Sequence, residues 1–277
     1  MKNAFTINAT TSEAGLNKFR VKKLSDDLEH VMDRSDETVE NIKRASSIPR
    51  WLNLAAAILG MAGMAIVIGF LRALTEVSFS TAYNNAGWLL YVGGPCVLVA
   101  LAIFIYKTYR NRTTVNSPAA RDAFAEQERL NARCFEDLGV PQTADDIDVF
   151  CEVFKEKNGK AKKVWSIYQY INISLKIYRD GENLYLADTD GVYAFPISSF
   201  FEIMTVRKSA LFSGWNKDEP FNKPPYKQYK VRRNNYGVLF VKPHYYIKFI
   251  AFNEEYVLVI PSYELETLQK YLTLNII

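Results

Sequence analysis

The chain contains few of the residues that most often carry chemistry. Its 277 residues include only two histidines, His30 and His244, and three cysteines that form no CxxC pair. This cysteine spacing argues against a disulfide framework or a zinc knuckle, so we expect reduced thiols. A Ser/His/Asp or Cys/His mechanism would need one of the two histidines, and neither lies in a recognisable motif. The sequence therefore predicts a non-enzymatic protein with no catalytic, cofactor or metal site.

A large excess of one charge is also missing. The chain has 34 basic and 30 acidic side chains, which gives a net charge of +4. Proteins that bind nucleic acid usually carry a strongly basic face, so we expect no nucleic-acid partner. The hydrophobic content of 49% excludes a chain that is disordered throughout.

Two long stretches contain no charged residue. Residues 51–71 read WLNLAAAILGMAGMAIVIGFL, and residues 88–106 read WLLYVGGPCVLVALAIFIY. At about 1.5 Å per helical residue, each stretch matches a hydrocarbon core about 30 Å thick. The first stretch begins behind a charged segment, which is not the layout of a cleaved signal peptide. Residues 51–106 are therefore predicted to form a transmembrane helical hairpin.

Basic residues flank this hairpin on one side only. Residues 73–87, between the two spans, contain no Lys or Arg. The positive-inside rule then predicts a multi-pass protein of the plasma membrane with both termini in the cytoplasm. The basic residues before the first span and after the second are Lys43, Arg44, Arg50, Lys107, Arg110 and Arg112.

Small residues in the first span allow another helix to approach closely. Ala56 and Gly60, and then Ala65 and Gly69, are spaced four apart. The spacing is typical of packing within the hairpin, and oligomerisation is the alternative. The spans contain no Asp, Glu, Lys, Arg or His, and such residues mark ion paths, so we expect no transport function.

Residues 1–50 are predicted to be a cytosolic tail with short helices. The part up to Lys23 is polar and unpatterned, which is typical of a mobile terminus. From Ser35 to Arg44 a capping serine, early acids and late bases indicate a short helix. Leu24, Leu28 and Val31 indicate another turn or two before it.

Residues 107–145 are predicted to be a juxtamembrane helix and linker. Ser117 can cap a helix that has Pro118 at its first position. The helix is expected to run through Leu138 to Gly139, where a left-handed conformation is permitted.

The segment 146–168 fits two patterns. Helical spacing joins Ile147, Phe150 and Phe154, whereas alternation of Ile147, Val149, Cys151 and Val153 indicates a strand. Asn158-Gly159 would end the helix or turn a β-hairpin, and the hairpin is slightly favoured. The acids of this region do not have the spacing of a calcium loop and are expected to be solvated; they are Asp145, Asp146, Asp148 and Glu152.

A clear β pattern follows from Ile173. Short alternating runs are separated by Asp180-Gly181 and Asp190-Gly191, which are strong hairpin signals. Asn253-Glu254 is predicted to connect the last two strands. Ser262 is expected to cap a terminal helix whose apolar face includes Leu265, Leu268 and Leu272. The predicted strands are SLKIYRD, ENLYLAD, VYAFPI, Phe201 to Arg207, YGVLFV, YYIKFIAF and YVLVI.

Seven antiparallel strands in two groups and a C-terminal helix resemble the pleckstrin-homology-like (PH-like) superfold. The layout of the whole chain also resembles membrane-anchored bacterial PH-like proteins. The predicted fold class is therefore α+β: a two-helix transmembrane hairpin followed by a cytosolic, barrel-like antiparallel β domain, residues 146–277. The resemblance implies a binding or scaffolding module, and a fold by itself implies no more.

Basic and aromatic residues collect between the predicted fourth and fifth strands. Phosphoinositide-binding PH domains use the loop between their first two strands, but here that loop, Arg179 to Asn183, carries two acids. The basic loop 213–235 has two interpretations. It is a rigid flap that covers the core, which is slightly favoured, or it contacts anionic lipid or an acidic partner. The candidate binding residues are Trp215, Lys217, Lys223, Lys227, Lys230, Arg232 and Arg233.

Three functions are compatible with these features. The first is a membrane-anchored, non-enzymatic scaffold of unknown specificity. The second is an accessory subunit of a larger membrane complex. The third is an enzyme with a site near His244, Tyr245 or Asp188, although no acid pair, glycine loop or metal-ligand spacing supports catalysis.

Overall fold

The computed structural model describes residues 2–8, 15–157, 160–164 and 167–277 of the chain. The fold is α+β and divides into two compact units. One unit is helical and comprises residues 30–130. The other contains the β domain and combines the residues up to Glu29 with Asn131–Ile277.

The helices follow the apolar and capping patterns of the sequence. The predicted spans 51–71 and 88–106 lie inside two long helices, and α5 has the predicted bounds. The helices are α1 (Asp26–Ser46), α2 (Arg50–Glu76), α3 (Phe79–Ala86), α4 (Trp88–Val115), α5 (Pro118–Leu138) and α6 (Leu265–Gln269).

Glycines bring α2 and α4 close together. A Cβ atom on Gly63 would lie 2.9 Å from the carbonyl oxygen of Gly93, and one on Gly93 would lie 2.8 Å from Ile66 Cγ2. Gly60 faces Ala100, whereas no atom lies within 4 Å of a Cβ placed on Gly69. Small residues therefore serve the packing of the hairpin itself, as the spacing around Gly60 predicted.

The two helices that flank the hairpin differ in how well they were predicted. Ser117 Oγ accepts a hydrogen bond from the Ala120 amide at 3.2 Å, and Gly139 has φ of +71°, so both predicted ends of α5 are confirmed. The predicted cap at Ser35 is wrong, because α1 is one continuous helix in which Ser35 lies near the middle and which includes the earlier turns predicted from Leu28 and Val31. Asp26, Asp27 and Glu29 in its first turn favour the earlier start.

The strands belong to two mixed sheets. They are β1 (Lys2–Asn3), β2 (Thr6–Asn8), β3 (Arg20–Lys23), β4 (Asp145–Lys157), β5 (Lys160–Lys163), β6 (Tyr170–Asp180), β7 (Asn183–Ala187), β8 (Gly191–Pro196), β9 (Phe200–Val206), β10 (Ala210–Ser213), β11 (Arg232–Arg233), β12 (Leu239–Val241), β13 (His244–Ala251) and β14 (Glu254–Pro261).

Within the described residues, the smaller sheet has the order β1-β14-β13-β9. The larger sheet has the path β11-β12-β10-β6-β7-β8-β3, and β4 pairs with β6, β2 and β5. The strands β4, β6, β7 and β8 are joined by antiparallel pairing. The prediction of a wholly antiparallel domain is wrong, because β6 pairs parallel with β10, β1 with β14 and β2 with β4. Each of the seven predicted strands is confirmed, with shifted ends, but the antiparallel set begins earlier than predicted, at β4.

The β4–β5 pairing decides the ambiguous segment 146–168 in favour of the hairpin. Phe154 pairs with Lys163 and Lys157 with Lys160 in an antiparallel ladder. The expected turn at Asn158-Gly159 lies outside the described residues.

The prediction of a mobile tail up to Lys23 is wrong for the residues described. β1 pairs parallel with β14, β2 parallel with β4, and β3 antiparallel with β8. Phe5 and Phe19 are buried, and the Phe19 ring lies 4.9 Å from that of Phe195 and 5.4 Å from that of Tyr256. Such short strands have no readable periodicity, and their partners are distant in sequence.

The last two connections also differ from the predictions. The turn between β13 and β14 is Phe252-Asn253, both with positive φ, rather than Asn253-Glu254. Ser262 caps no helix: it is buried in a short 3₁₀ turn before the five-residue helix α6. Leu268 and Leu272 are buried in the main core, as predicted.

Candidate binding surface

The basic loop 213–235 leaves β10 and returns in β11. It contains a 3₁₀ turn, Tyr226–Tyr229, and the amide of Lys227 donates to the carbonyl oxygen of Lys223 at 2.9 Å. Lys230 ends that turn in the left-handed conformation, with φ of 53°. The segment is therefore an ordered excursion with local hydrogen bonds.

Aromatic rings hold the inner side of the loop. The Trp215 ring lies 5.1 Å from that of Tyr226 and 5.2 Å from that of Tyr263, and its Nε1 donates to the Glu219 carbonyl oxygen at 2.8 Å. Phe221 packs edge-on against Trp215. Trp215, one of the candidate binding residues, is therefore largely used in packing within the domain.

Lys217 is taken up by an internal ion cluster. Its Nζ lies 2.6 Å from Glu264 Oε1 and 3.6 Å from Asp148 Oδ1, and its side chain is only 11% exposed. Asp148 is fully buried, so the expectation that it is solvated is wrong. Its Oδ2 accepts hydrogen bonds from Asn172 Nδ2 at 2.8 Å and from Tyr263 Oη at 3.1 Å.

Burial sets the electrostatics of this cluster. It raises the pKa of Glu264 to about 7, with partial opposition from the charge of Lys217. Burial by itself would lower the pKa of Lys217, but the charges of Glu264 and Asp148 outweigh it and raise that pKa. Lys217 therefore remains an ammonium that fixes the start of the loop, because leaving the two buried acids without it would be costly.

The remaining basic residues of the loop point into solvent. Together they form a surface that we call the basic face, and all of its members are exposed. Among the residues that the structure describes, none of them forms an ion pair with a carboxylate. The guanidinium of Arg233 lies 5.4 Å from the ring centre of Phe221. The basic face consists of Lys223, Lys227, Lys230, Arg232 and Arg233.

A cleft of about 290 Å³ opens beside the basic face. Trp215, Arg233 and Tyr236 are among its lining residues. Tyr236 is 79% exposed and sits in a turn in which Asn234 Oδ1 accepts hydrogen bonds from the amides of Tyr236 and Val238. An ordered tyrosine therefore stands next to the cations, although the sequence did not single it out.

The residues considered for an enzyme have structural roles. His244 is buried, its Nδ1 donates to the Lys208 carbonyl oxygen at 3.1 Å, and burial lowers its pKa. The Asp188 carboxylate accepts hydrogen bonds from the amides of Asp190 and Gly191 and from the hydroxyl of Tyr193. Tyr245 packs against the main core. The structure does not bring these three residues together around a described cleft.

Sequence reasoning missed the partners that position the loop. Asp148, Asn172 and Glu264 lie in three different elements, and no local pattern joins them to Lys217.

Within the described part of the chain no cluster of His, Cys, Asp or Glu has the arrangement of a metal site. The chain matches no known protein family, no curated protein and no solved structure with which it was compared.

Proposed function

We propose that the protein is a membrane-anchored, non-enzymatic binding module of the plasma membrane. In this proposal α2 and α4 cross the bilayer, both termini are cytoplasmic, and the PH-like β domain contacts the anionic inner leaflet through the basic face. The observation that carries the proposal is that five exposed cations share one ordered loop without an acidic partner among the described residues.

The anchor is supported by the apolar exposure of two helices. Both α2 and α4 are long and apolar enough to cross a membrane. Only 11% of the most apolar 18-residue stretch of the first span is buried, and only 6% of that of the second. Each exposed leucine or isoleucine side chain would cost about 1.5–3 kcal/mol in water relative to burial. A bilayer removes that cost along the whole length of both helices. The exposed side chains include Leu54, Ile58, Met61, Ile68, Leu98, Leu101, Phe104 and Ile105.

The PH-like assignment is supported by strand order. Four strands joined by antiparallel pairing, β4, β6, β7 and β8, precede three others, β9, β13 and β14, and a terminal helix follows. In this set β4 takes the place of β12, which is among the seven strands that the sequence predicts. β5 and the segment with β10, the basic loop, β11 and β12 would then be insertions. The N-terminal strands and the short α6 depart from the simplest form of that fold.

The chemistry of the basic face favours a lipid surface over an acidic protein segment. The cations are exposed and dispersed along the loop rather than gathered around a deep pocket, and this arrangement suits many anionic headgroups. Each Lys or Arg near an anionic leaflet contributes about 1 kcal/mol. An anchor in the same bilayer raises the effective concentration, so weak contacts are sufficient.

Vesicle capture tests this proposal on the full chain. The protein would be held in phosphatidylcholine nanodiscs and sedimented with vesicles of phosphatidylglycerol mixed with phosphatidylcholine. We expect capture by these vesicles, none by pure phosphatidylcholine, and loss of capture when all five residues of the basic face are replaced by Gln. The control variant, Arg207→Gln with Lys208→Gln, removes exposed bases elsewhere and should keep capture.

Two results would contradict the lipid function. Equal capture of the wild type and the five-site variant would exclude the basic face as the lipid contact. The accessory-subunit function would be favoured instead if the wild type and the five-site variant both co-purified with the same partner protein and neither was captured by vesicles.

A further inference from the structure

The β4–β5 hairpin carries a second concentration of positive charge. Residues 155–163 read KEKNGKAKK, with five lysines and one glutamate. Lys155 and Lys162 are exposed, and β5 pairs only with β4 among the described strands. This segment lies apart from the basic face in sequence, and the patterns read from the sequence did not include its lysines.

The register of the hairpin places like charges opposite each other. Lys155 pairs with Lys162, and Lys157 pairs with Lys160. Directly opposed residues in an antiparallel ladder share a face, as do residues two apart along one strand. Lys155 and Lys162, which are directly opposed and which we call the lysine ladder, therefore lie on one face of the two-stranded ribbon.

Like charges directly opposite each other destabilise a pair of strands. Charged edge strands also keep sheets from pairing with other chains, and lysine is common in that role. That role does not require lysine opposite lysine, because alternating signs would protect the edge and also stabilise the ladder. The lysine ladder is better explained by an external anion that offsets the repulsion.

We propose that the lysine ladder is a second anion-binding surface, which contacts the phosphate groups of an anionic bilayer. The choice of a bilayer rests on the proposed function, whereas the affinity for anions rests on the register alone. Asn158 and Gly159 lie outside the described residues and are not part of the surface. Two separate basic surfaces on one domain would make the contact bivalent and steeply dependent on the anionic lipid content.

Lysine footprinting tests the surface on the full-length protein. The protein would be acetylated in nanodiscs of phosphatidylcholine with and without phosphatidylglycerol, and each lysine quantified by tandem mass spectrometry. We expect phosphatidylglycerol to protect Lys155 and Lys162 from acetylation. Lys208, an exposed lysine outside both basic surfaces, provides the reference.

A matched pair of variants separates binding from folding. Lys155→Gln with Lys162→Gln should weaken capture by phosphatidylglycerol vesicles about fivefold for each lysine removed, and should raise the thermal midpoint without anions because the repulsion is gone. Lys162→Glu should preserve the hairpin through a cross-strand ion pair with Lys155 and also weaken capture. Lys208→Gln should change neither quantity.

The outcomes distinguish this inference from the function on which it rests. Protection of Lys223 and Lys227 without protection of Lys155 and Lys162 would overturn the lysine ladder and leave the basic face intact. Protection of the ladder alone would support the inference and reject the basic face. Unchanged capture by both hairpin variants would show that the lysines only keep the edge soluble, and the inference would be wrong.

Discussion

Lys217 and Lys223 belong to the same basic segment, yet their environments are opposite. Lys223 is exposed, whereas the side chain of Lys217 is only 11% exposed and is paired with Asp148 and Glu264. Burying one ammonium between two carboxylates is tolerable only while all three groups remain together. The residues that fix the loop and the residues available to a ligand are therefore different.

Glu264 should make stability depend on pH near neutrality. Its folded-state pKa of about 7 lies above its ordinary value of 4.5, so the folded state holds the proton more tightly than the unfolded state. The stabilisation from this proton is fully present below pH 4.5 and is lost as the pH rises through about 7. From about pH 5 to about pH 8 the wild type should lose on the order of 3 kcal/mol relative to Glu264→Gln.

Thermal unfolding of both proteins in detergent micelles measures this difference. The lowered pKa of His244 acts in the opposite direction, because protonation of the unfolded state removes stability as the pH falls. That contribution is common to both proteins and cancels in the difference. Parallel curves for the wild type and Glu264→Gln would show that Glu264 does not titrate in this range.

At the level of elements, the N-terminal strands and the C-terminal sheets form one core. Phe5 is 1% exposed and lies between β1, which pairs with β14, and β2, which pairs with β4. The amide of Glu152 on β4 donates to the carbonyl oxygen of Phe5 at 2.9 Å. A fragment that begins at residue 146 therefore lacks strands and core side chains that the domain uses.

Phe5→Ala should destabilise the β domain by about 3–5 kcal/mol, because it leaves a cavity in a packed core. Val21→Ala is the matched control: Val21 is also in the N-terminal segment but is 62% exposed, so its loss should be nearly neutral. Limited proteolysis of the full-length protein measures both effects. Equal resistance of the wild type and Phe5→Ala would indicate that the N-terminal strands do not contribute to domain stability.

At the scale of the whole molecule, the proposed function requires that both termini lie on one side of the bilayer. α2 and α4 are joined through the short helix α3, whose residues Phe79 and Tyr83 are exposed. Residues 73–87 contain no basic residue, so this connection is the part expected outside the cell.

Cysteine labelling tests this topology. In a variant whose native cysteines are replaced by Ala, a membrane-impermeant thiol reagent should label Ser80→Cys in intact cells. Lys208 is exposed as well, and Lys208→Cys should be labelled only after the cells are lysed. Labelling of Lys208→Cys in intact cells would show that the C-terminal domain lies outside the cell. Release of the protein from membranes without detergent would exclude the membrane anchor.

The sequence by itself determined the elements that depend on neighbouring residues. The long apolar helices, the capped helix α5 and the antiparallel strands β6, β7 and β8 were predicted, because apolar runs, caps and alternation act over a few residues. The basic loop was also located from composition alone. The start of α1 was placed too late because Ser35 was interpreted as the cap, whereas the acids of the first turn, Asp26, Asp27 and Glu29, favour the earlier start.

Only the tertiary structure decided how distant segments combine. It placed the N-terminal residues in the β domain, buried Lys217 against Asp148 and Glu264, and set Lys155 opposite Lys162. Each outcome depends on strand register or on burial between elements that are far apart in the chain. Local patterns do not encode these relations, because the free energy that selects them arises only when the sheets pack.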